Sequence, residues 1–304
     1  MRISPLNLIS TPLAVLNTLG LDLRVGLSSE DPMVGRHPSE VYEVYLSIYS
    51  PEGLLLQRPH LGNIQPKRRR FFDVSSITRE LVPSLDHLAV VHRVPASLAS
   101  LVEDPQEDIE LPKEPDYSMF RSLVEYSYPQ GGNGSVIYET PPGLNGGQRS
   151  SNTLTFTCQT VLSDSVNTQV TLINSSVDKN YAKIANFTYG LHTLSGELVC
   201  SDTVAIGPYG IKVLDLAQVI PEEIALREQD PEDGVSAFTL IGYSEDASIL
   251  SLLVNTAPAL GGVAVEHTHP PQAYMFPLDG GYQRTAKSNA QRAWKSILPG
   301  ARSS

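Results

Sequence analysis

The segment Ser251-Leu-Leu-Val-Asn-Thr-Ala-Pro-Ala-Leu-Gly-Gly-Val-Ala-Val-Glu-His-Thr-His-Pro-Pro271 reads as a strand, a tight turn and a second strand. An earlier segment, Ser122-Leu-Val-Glu-Tyr-Ser-Tyr-Pro-Gln-Gly-Gly-Asn-Gly-Ser-Val-Ile-Tyr-Glu-Thr-Pro-Pro142, follows the same plan without a gap. Ser122/Ser251, Leu123/Leu252, Pro129/Pro258, Gly132/Gly261, Val136/Val265 and the closing prolines fall at one constant offset. A constant offset over that length predicts an internal duplication.

A second echo lies upstream of each segment. Ile64-Gln-Pro66 followed by Phe72-Asp-Val74 matches Ile206-Gly-Pro208 followed by Leu214-Asp-Leu216. Before these stand Ser50-Pro-Glu-Gly53 and Thr193-Leu-Ser-Gly196, turn chemistry between two extended runs. Both halves therefore share an order: strand, hairpin, strand, proline turn, strand, closing hairpin.

The spacing of short alternating runs predicts an all-β chain. Leu21–Leu27, Val41–Tyr49 and Leu85–His92 supply strands in the first half; Leu154–Leu162, Val170–Ile173, Ala185–Tyr189, Leu198–Val204, Ile211–Leu216 and Phe238–Tyr243 supply them in the second. No long helix-period segments separate the strands, which disfavours a parallel α/β sheet. The expected architecture is two tandem, internally duplicated antiparallel β-sandwich domains, 21–145 and 146–280. An N-terminal arm (1–20) precedes them and a basic C-terminal tail (281–304) with a short helix near Ala286–Ile297 follows. Glu103–Asp116 is acidic and proline-punctuated and reads as a solvated loop, and Gly143–Asn152 reads as the linker.

At 304 residues and 41% hydrophobic content the chain can fill two cores. A formal charge of −11 argues against a general nucleic-acid binder, whose phosphate contacts need a basic face. The uncharged run Ile3–Leu21 contains Pro5, Asn7, Ser10, Thr11, Pro12, Asn17 and Thr18, too polar for a signal peptide or anchor. The expectation is a soluble, cytoplasmic protein without a transmembrane segment. Cys158 and Cys200 are the two cysteines, and two buried free thiols are expected rather than a disulfide.

Three clusters are candidates for function. His267 and His269 are two apart on a strand, so they share a face and can offer two imidazole nitrogens to one divalent metal. A cupin-type site would add a glutamate shortly afterwards, where Pro270-Pro-Gln-Ala-Tyr274 stands instead. The other reading is a pair of strand-end histidines hydrogen-bonded to backbone or to a partner. No cofactor is otherwise expected.

Lys67-Arg-Arg-Arg70 is the second cluster. On an extended segment Lys67, Arg68, Arg69 and Arg70 splay to both faces, so at most two act together on an anion or a partner surface. A solvated edge blunted against aggregation is the alternative. The third cluster is the tail, where Arg284, Lys287, Arg292 and Lys295 surround Trp294, the chain's only tryptophan, and no acid follows Asp279. It reads either as a closing helix docked on the acidic body or as a contact peptide for a partner or an anionic membrane surface.

No phosphate-binding loop and no nucleophile elbow occurs. Ile64-Gln-Pro-Lys-Arg-Arg-Arg-Phe-Phe-Asp-Val74 followed by Leu88-Ala-Val-Val-His-Arg93 resembles the sensory rhodopsin transducer type of small β-sandwich. The resemblance covers roughly 60 residues of the first copy. It implies a soluble β-sandwich that oligomerises and works by contact. The expected function is therefore non-catalytic binding or assembly, through a protein partner or self-association. The competing expectation is a metal-binding protein or metal-dependent enzyme centred on His267 and His269.

Overall fold

The computed structural model describes residues 10–29, 41–96, 99, 122–138, 154–175, 181–244 and 249–267. The fold is all-β, with antiparallel strands and a few helical turns. The first half contains β1 (Ser10–Val15), β2 (Asp22–Ser28), β3 (Tyr42–Tyr49), β4 (Leu55–Gln57), β5 (His60–Ile64) and β6 (Arg69–Asp73). Helix α1 (Val74–Thr78), β7 (His87–Pro95), β8 (Ser122–Ser127) and β9 (Asn133–Tyr138) follow. The second half contains β10 (Leu154–Leu162), β11 (Asn167–Asn174), β12 (Ala185–Thr193), β13 (Leu198–Ile206) and β14 (Ile211–Asp215). Helices α2 (Leu216–Val219) and α3 (Glu222–Arg227) lead into β15 (Ser236–Ser244), β16 (Ile249–Ala257) and β17 (Gly262–His267). Among the described residues no helix is long and apolar enough to cross a membrane.

The pairing plan of the first half recurs in the second. β1–β7, β3–β7, β2–β6, β2–β8 and β8–β9 in the first half correspond to β10–β15, β12–β15, β11–β14, β11–β16 and β16–β17 in the second. The short β4 and β5 both pair with β3, where the long β13 pairs with β12. In the first half these strands form two sheets; in the second a single rung, Leu162 to Asn167, joins them into one.

The echoed turns have the same geometry. Gly53 and Gly196 lie at φ of 87° and 91°, each donating its N–H to the carbonyl three residues back, Ser50 or Thr193. A side-chain oxygen of Asp73 caps α1 at the Ser76 N–H, and one of Asp215 caps α2 at the Ala217 N–H.

β8 alternates as a half-buried strand should, with Ser122, Val124 and Tyr126 inward and Leu123, Glu125 and Ser127 outward. Val124 and Tyr126 join Leu23, Val25 and Phe72 in a core shared with Leu13, Val15, Leu46 and Ile48 of the facing sheet. The Thr11 and Ser122 hydroxyls meet at 2.7 Å across this core, and the Tyr126 hydroxyl donates to the Ala14 carbonyl at 2.8 Å. The stretch expected to be an arm thus holds a buried edge strand: β1 is wholly buried although it pairs only with β7.

A second core gathers Val170, Leu172, Phe187, Leu191, Phe238, Leu240 and Leu253. Cys158 and Cys200 pack beside it as free, half-buried thiols. Burial pushes the Cys158 thiol up to about 12, with the Glu266 carboxylate adding to the effect. The tail helix and the acidic loop fall outside the described residues.

The halves are not separate bodies. Leu250, Leu252 and Val254 of β16 and Ile173 of β11 belong to the first core, with Ile211, Val213, Val263 and Val265 packed against it. These residues occupy the face of β14-β11-β16-β17 opposite to Val170, Leu172 and Leu253. Burying such a branched side chain contributes about 1.5–3 kcal/mol, so several together join the halves firmly.

Candidate contact surface

Register alternation shows which faces meet. In the sheet β1-β7-β3, Thr11, Leu13, Ala89, Val91, Val44 and Leu46 point at the partner sheet of the first half, and Ser10, Pro12, Val90, His92, Ser47 and Tyr49 point the other way. That second face receives the second half. Tyr49 stacks on Tyr209 with ring centroids 5.0 Å apart and planes 6° off parallel. A polar chain lies in the same face: Arg58 Nε donates to Ser47 Oγ at 2.8 Å, and His92 bridges Ser47 at 2.7 Å and Ser10 at 2.5 Å. His92 is buried, so these partners replace the water it has lost.

The equivalent rows of the two docking-type sheets can be compared residue by residue. Arg24 pairs with Asp73 and Glu125, as Gln169 pairs with Asp215 and Val254. One row further on, Gly26 lies between Phe71 and Leu123, as Thr171 lies between Val213 and Leu252. In the second half Leu252 and Val254 are fully buried against the first half. In the first half the matching face is open, with Phe71 42% exposed and Arg24 and Arg69 exposed beside it.

The open face is ordered. The Phe71 ring covers Gly26, where a Cβ would sit 2.7 Å from the ring's Cε1. Arg24 stands 5.6 Å from the Phe71 centroid and forks onto Glu125, at 2.5 Å through Nη2 and 3.1 Å through Nε. Arg79 pairs with Asp22 on the same rim. Aromatic, cation and carboxylate on one sheet face make a surface suited to protein contact.

The four-cation cluster is divided by the fold. Lys67 sits in the β5–β6 turn at a left-handed φ of 60°. The Arg68 backbone pairs with Ser29, donating to its Oγ at 3.0 Å and accepting from its N–H at 3.0 Å. Arg69 lies on the open face, opposite Ser28. Arg70 is turned away, over the Phe72 ring at 4.8 Å and donating to the Asn63 carbonyl at 3.1 Å. Only Arg69 of the four joins Arg24 and Phe71.

Sequence reading missed Arg24, Phe71, Leu123 and Glu125 because each is ordinary on a strand. The signal lay in comparing the two halves: Glu125 stands where the echo has Val254.

The echoed hairpins meet at their tips. Gly132 N–H donates to the Gly261 carbonyl at 2.8 Å, and a Cβ on Gly131 would lie 2.4 Å from that oxygen. Tyr128, Pro129, Pro258 and Leu260 line an open cleft of about 540 Å³ beside this contact.

The echo conceals a slip. In the first hairpin Val124 faces Val136, but in the second Val265 faces Val254 and Glu266 faces Leu253. A one-residue change of register reverses the faces, so Val265 points at the first half and Val136 at its own core.

His267 is the last residue of β17, its backbone paired with Leu252. His269 and the tail residues Arg284, Lys287, Arg292, Trp294 and Lys295 lie outside the described residues, as does any divalent metal site that the histidine pair forms. Among the described residues no group of three or more His, Cys, Asp or Glu side chains is placed to hold a metal ion.

No family model and no characterised protein matches the chain. Among solved structures, one described as a beta-galactosidase from Bacteroides fragilis aligns at 10% identity over 85% of this chain, with a TM-score of 0.17. The alignment spans 32% of that chain, about a third of its length. The infectious bursal disease virus VP2 subviral particle aligns at 10% identity over 91% of this chain and 74% of its own, with a TM-score of 0.15. Likeness at this level carries no argument about fold or function.

Proposed function

We propose that this chain is a non-catalytic contact protein built from two diverged copies of one β-sandwich unit. It meets a protein partner on the open face of β6-β2-β8-β9. One observation supports the reading: the counterpart of this face in the second half is already an interface, with Leu252 and Val254 buried and Val213 partly buried against the first half. On the open copy the same positions carry Leu123, Glu125 and Phe71, flanked by Arg24 and Arg69. Charged and aromatic groups replace aliphatic ones, as suits a partner that must also leave. The resemblance of Ile64–Val74 and Leu88–Arg93 to contact-type β-sandwich proteins agrees with it.

Site-specific photo-crosslinking tests the assignment. A photoreactive residue at position 71 is expected to yield a defined protein adduct in cells of the source organism, and one at Leu226, 62% exposed on α3, is not. Absence of any adduct at position 71, or equal labelling at both positions, overturns it.

A further inference from the structure

The contact that joins the halves has two sides, and each side has a twin that is at least partly exposed. One side is the outward face of β14-β11-β16-β17, whose twin is the open face bearing Arg24, Phe71 and Leu123. The other is the face of β1-β7-β3 that holds Ser47, Tyr49, Val90 and His92. Its twin follows from the shared pairing plan: Ser47 opposes Val90 as Gly190 opposes Ile241, and Tyr45 opposes His92 as Thr188 opposes Tyr243.

That twin face, on β12-β15-β10, is incompletely covered. Thr188, Thr239, Ile241 and Tyr243 are all half-buried. His192 follows in the same row, at the position where the first half has Tyr49, and its Nε2 is buried without a hydrogen-bond partner among the described residues. Leu194, in the adjoining turn, is 65% exposed.

From this continuity we infer that copies of the chain associate head to tail. The open face of β6-β2-β8-β9 in one copy seats on the β12-β15-β10 face of the next, repeating the contact already made inside the chain. This rests on the contact-surface reading above and names its partner as a second copy. The Tyr209-on-Tyr49 contact then has as its counterpart the Lys67 turn of one copy against the exposed Leu194 turn that follows His192 in the next. Because the two surfaces differ, the contact is heterologous and does not close at a dimer. Glu125 and Arg24, standing where the internal interface has Val254 and Gln169, make it weaker than the internal contact, so assembly depends on concentration.

Sedimentation velocity of the full chain over a concentration series is the test. Dimers, trimers and larger species are expected to grow in together. Phe71→Glu and Ile241→Glu are each expected to raise the apparent dissociation constant at least tenfold. An equimolar mixture of the two variants is expected to recover a dimer and nothing larger, since each keeps one intact face. Arg69→Glu, at an exposed position, replaces Phe71→Glu if the latter lowers the thermal midpoint.

A chain that stays monomeric up to about 1 mM, where association would be worth only about 4 kcal/mol, overturns the inference. So does a mixture that recovers no dimer, or a wild type that stops at a dimer. A monomer whose position-71 crosslinker still captures a different protein overturns self-stacking alone and leaves the contact surface standing. A monomer without any adduct at position 71 overturns both.

Discussion

Lys67 and Tyr209 hold the same left-handed backbone conformation, at φ of 60° and 57°, in turns that occupy matching places in the two halves. Each follows a proline, and each turn leads into the strand that ends at a helix-capping aspartate. The side chains diverge: Tyr209 stacks on Tyr49 between the halves, whereas Lys67 stands at the rim of the open face. A non-glycine residue in this region carries strain of about 1–2 kcal/mol, which glycine does not.

The same substitution is therefore expected to act with opposite sign at the two positions. Lys67→Gly should raise unfolding free energy by up to about 1 kcal/mol, the relieved strain less the added freedom of the unfolded chain. Tyr209→Gly should lower it by about 2 kcal/mol or more through lost aromatic packing. Urea titration measures both, and equal signs contradict the matching of the turns.

Glu125 and Val254 form a second matched pair with unlike surroundings. Val254→Glu places a carboxylate at a fully buried position of an apolar core, and is expected to cost about 3 kcal/mol or more. Glu125→Val removes an exposed ion pair with Arg24 and is expected to cost less than about 1 kcal/mol. Thermal melts of both variants check the asymmetry; a mild Val254→Glu would mean that the halves do not meet on this face.

The thiols give a chemical readout. A thiolate is the reactive form, and burial raises both cysteines, Cys158 to about 12. In the native protein at pH 8 a disulfide-exchange reagent should label Cys158 very slowly, and both positions should react at once in denaturant. Fast native labelling of Cys158 contradicts its burial beside Leu240.

His87 links stability to acid. Burial lowers its pKa below the ordinary value of 6.5, and its Nε2 has no hydrogen-bond partner among the described residues. Below that value the unfolded chain binds the proton and the folded chain resists it, so stability is full above about pH 6.5 and falls as pH drops toward the folded value. Each unit of depression is worth about 1.4 kcal/mol. His87→Leu should reduce the loss of melting temperature between pH 7 and pH 5; an identical slope removes His87 as the source.

The strand order was legible because alternation and turn residues are local signals. The N-terminal segment escaped because Pro12 and Thr11 blur the alternation of Ser10–Val15, and its burial comes from partners about 80 to 110 residues away. The slip of β17 escaped for a related reason. Identical residues at an unchanged offset say nothing of register, which the length of the hairpin loop sets. The open face became visible only when matched positions were read for burial: Leu123 and Leu252 are the same amino acid, one at the surface and one in an interface.

The second face of the β1-β7-β3 sheet is covered only when the second half of the chain is in place. Tyr49 stacks on Tyr209, 160 positions on, and the hairpin tips that meet outside the first core, at Gly132 and Gly261, are 129 positions apart. A nascent polypeptide that has emerged only as far as the midpoint therefore holds an oily sheet surface with nothing to rest on. Such non-local closure implies slow maturation and a dependence on chaperones during synthesis. Truncation near the linker should give an insoluble fragment rather than a working half.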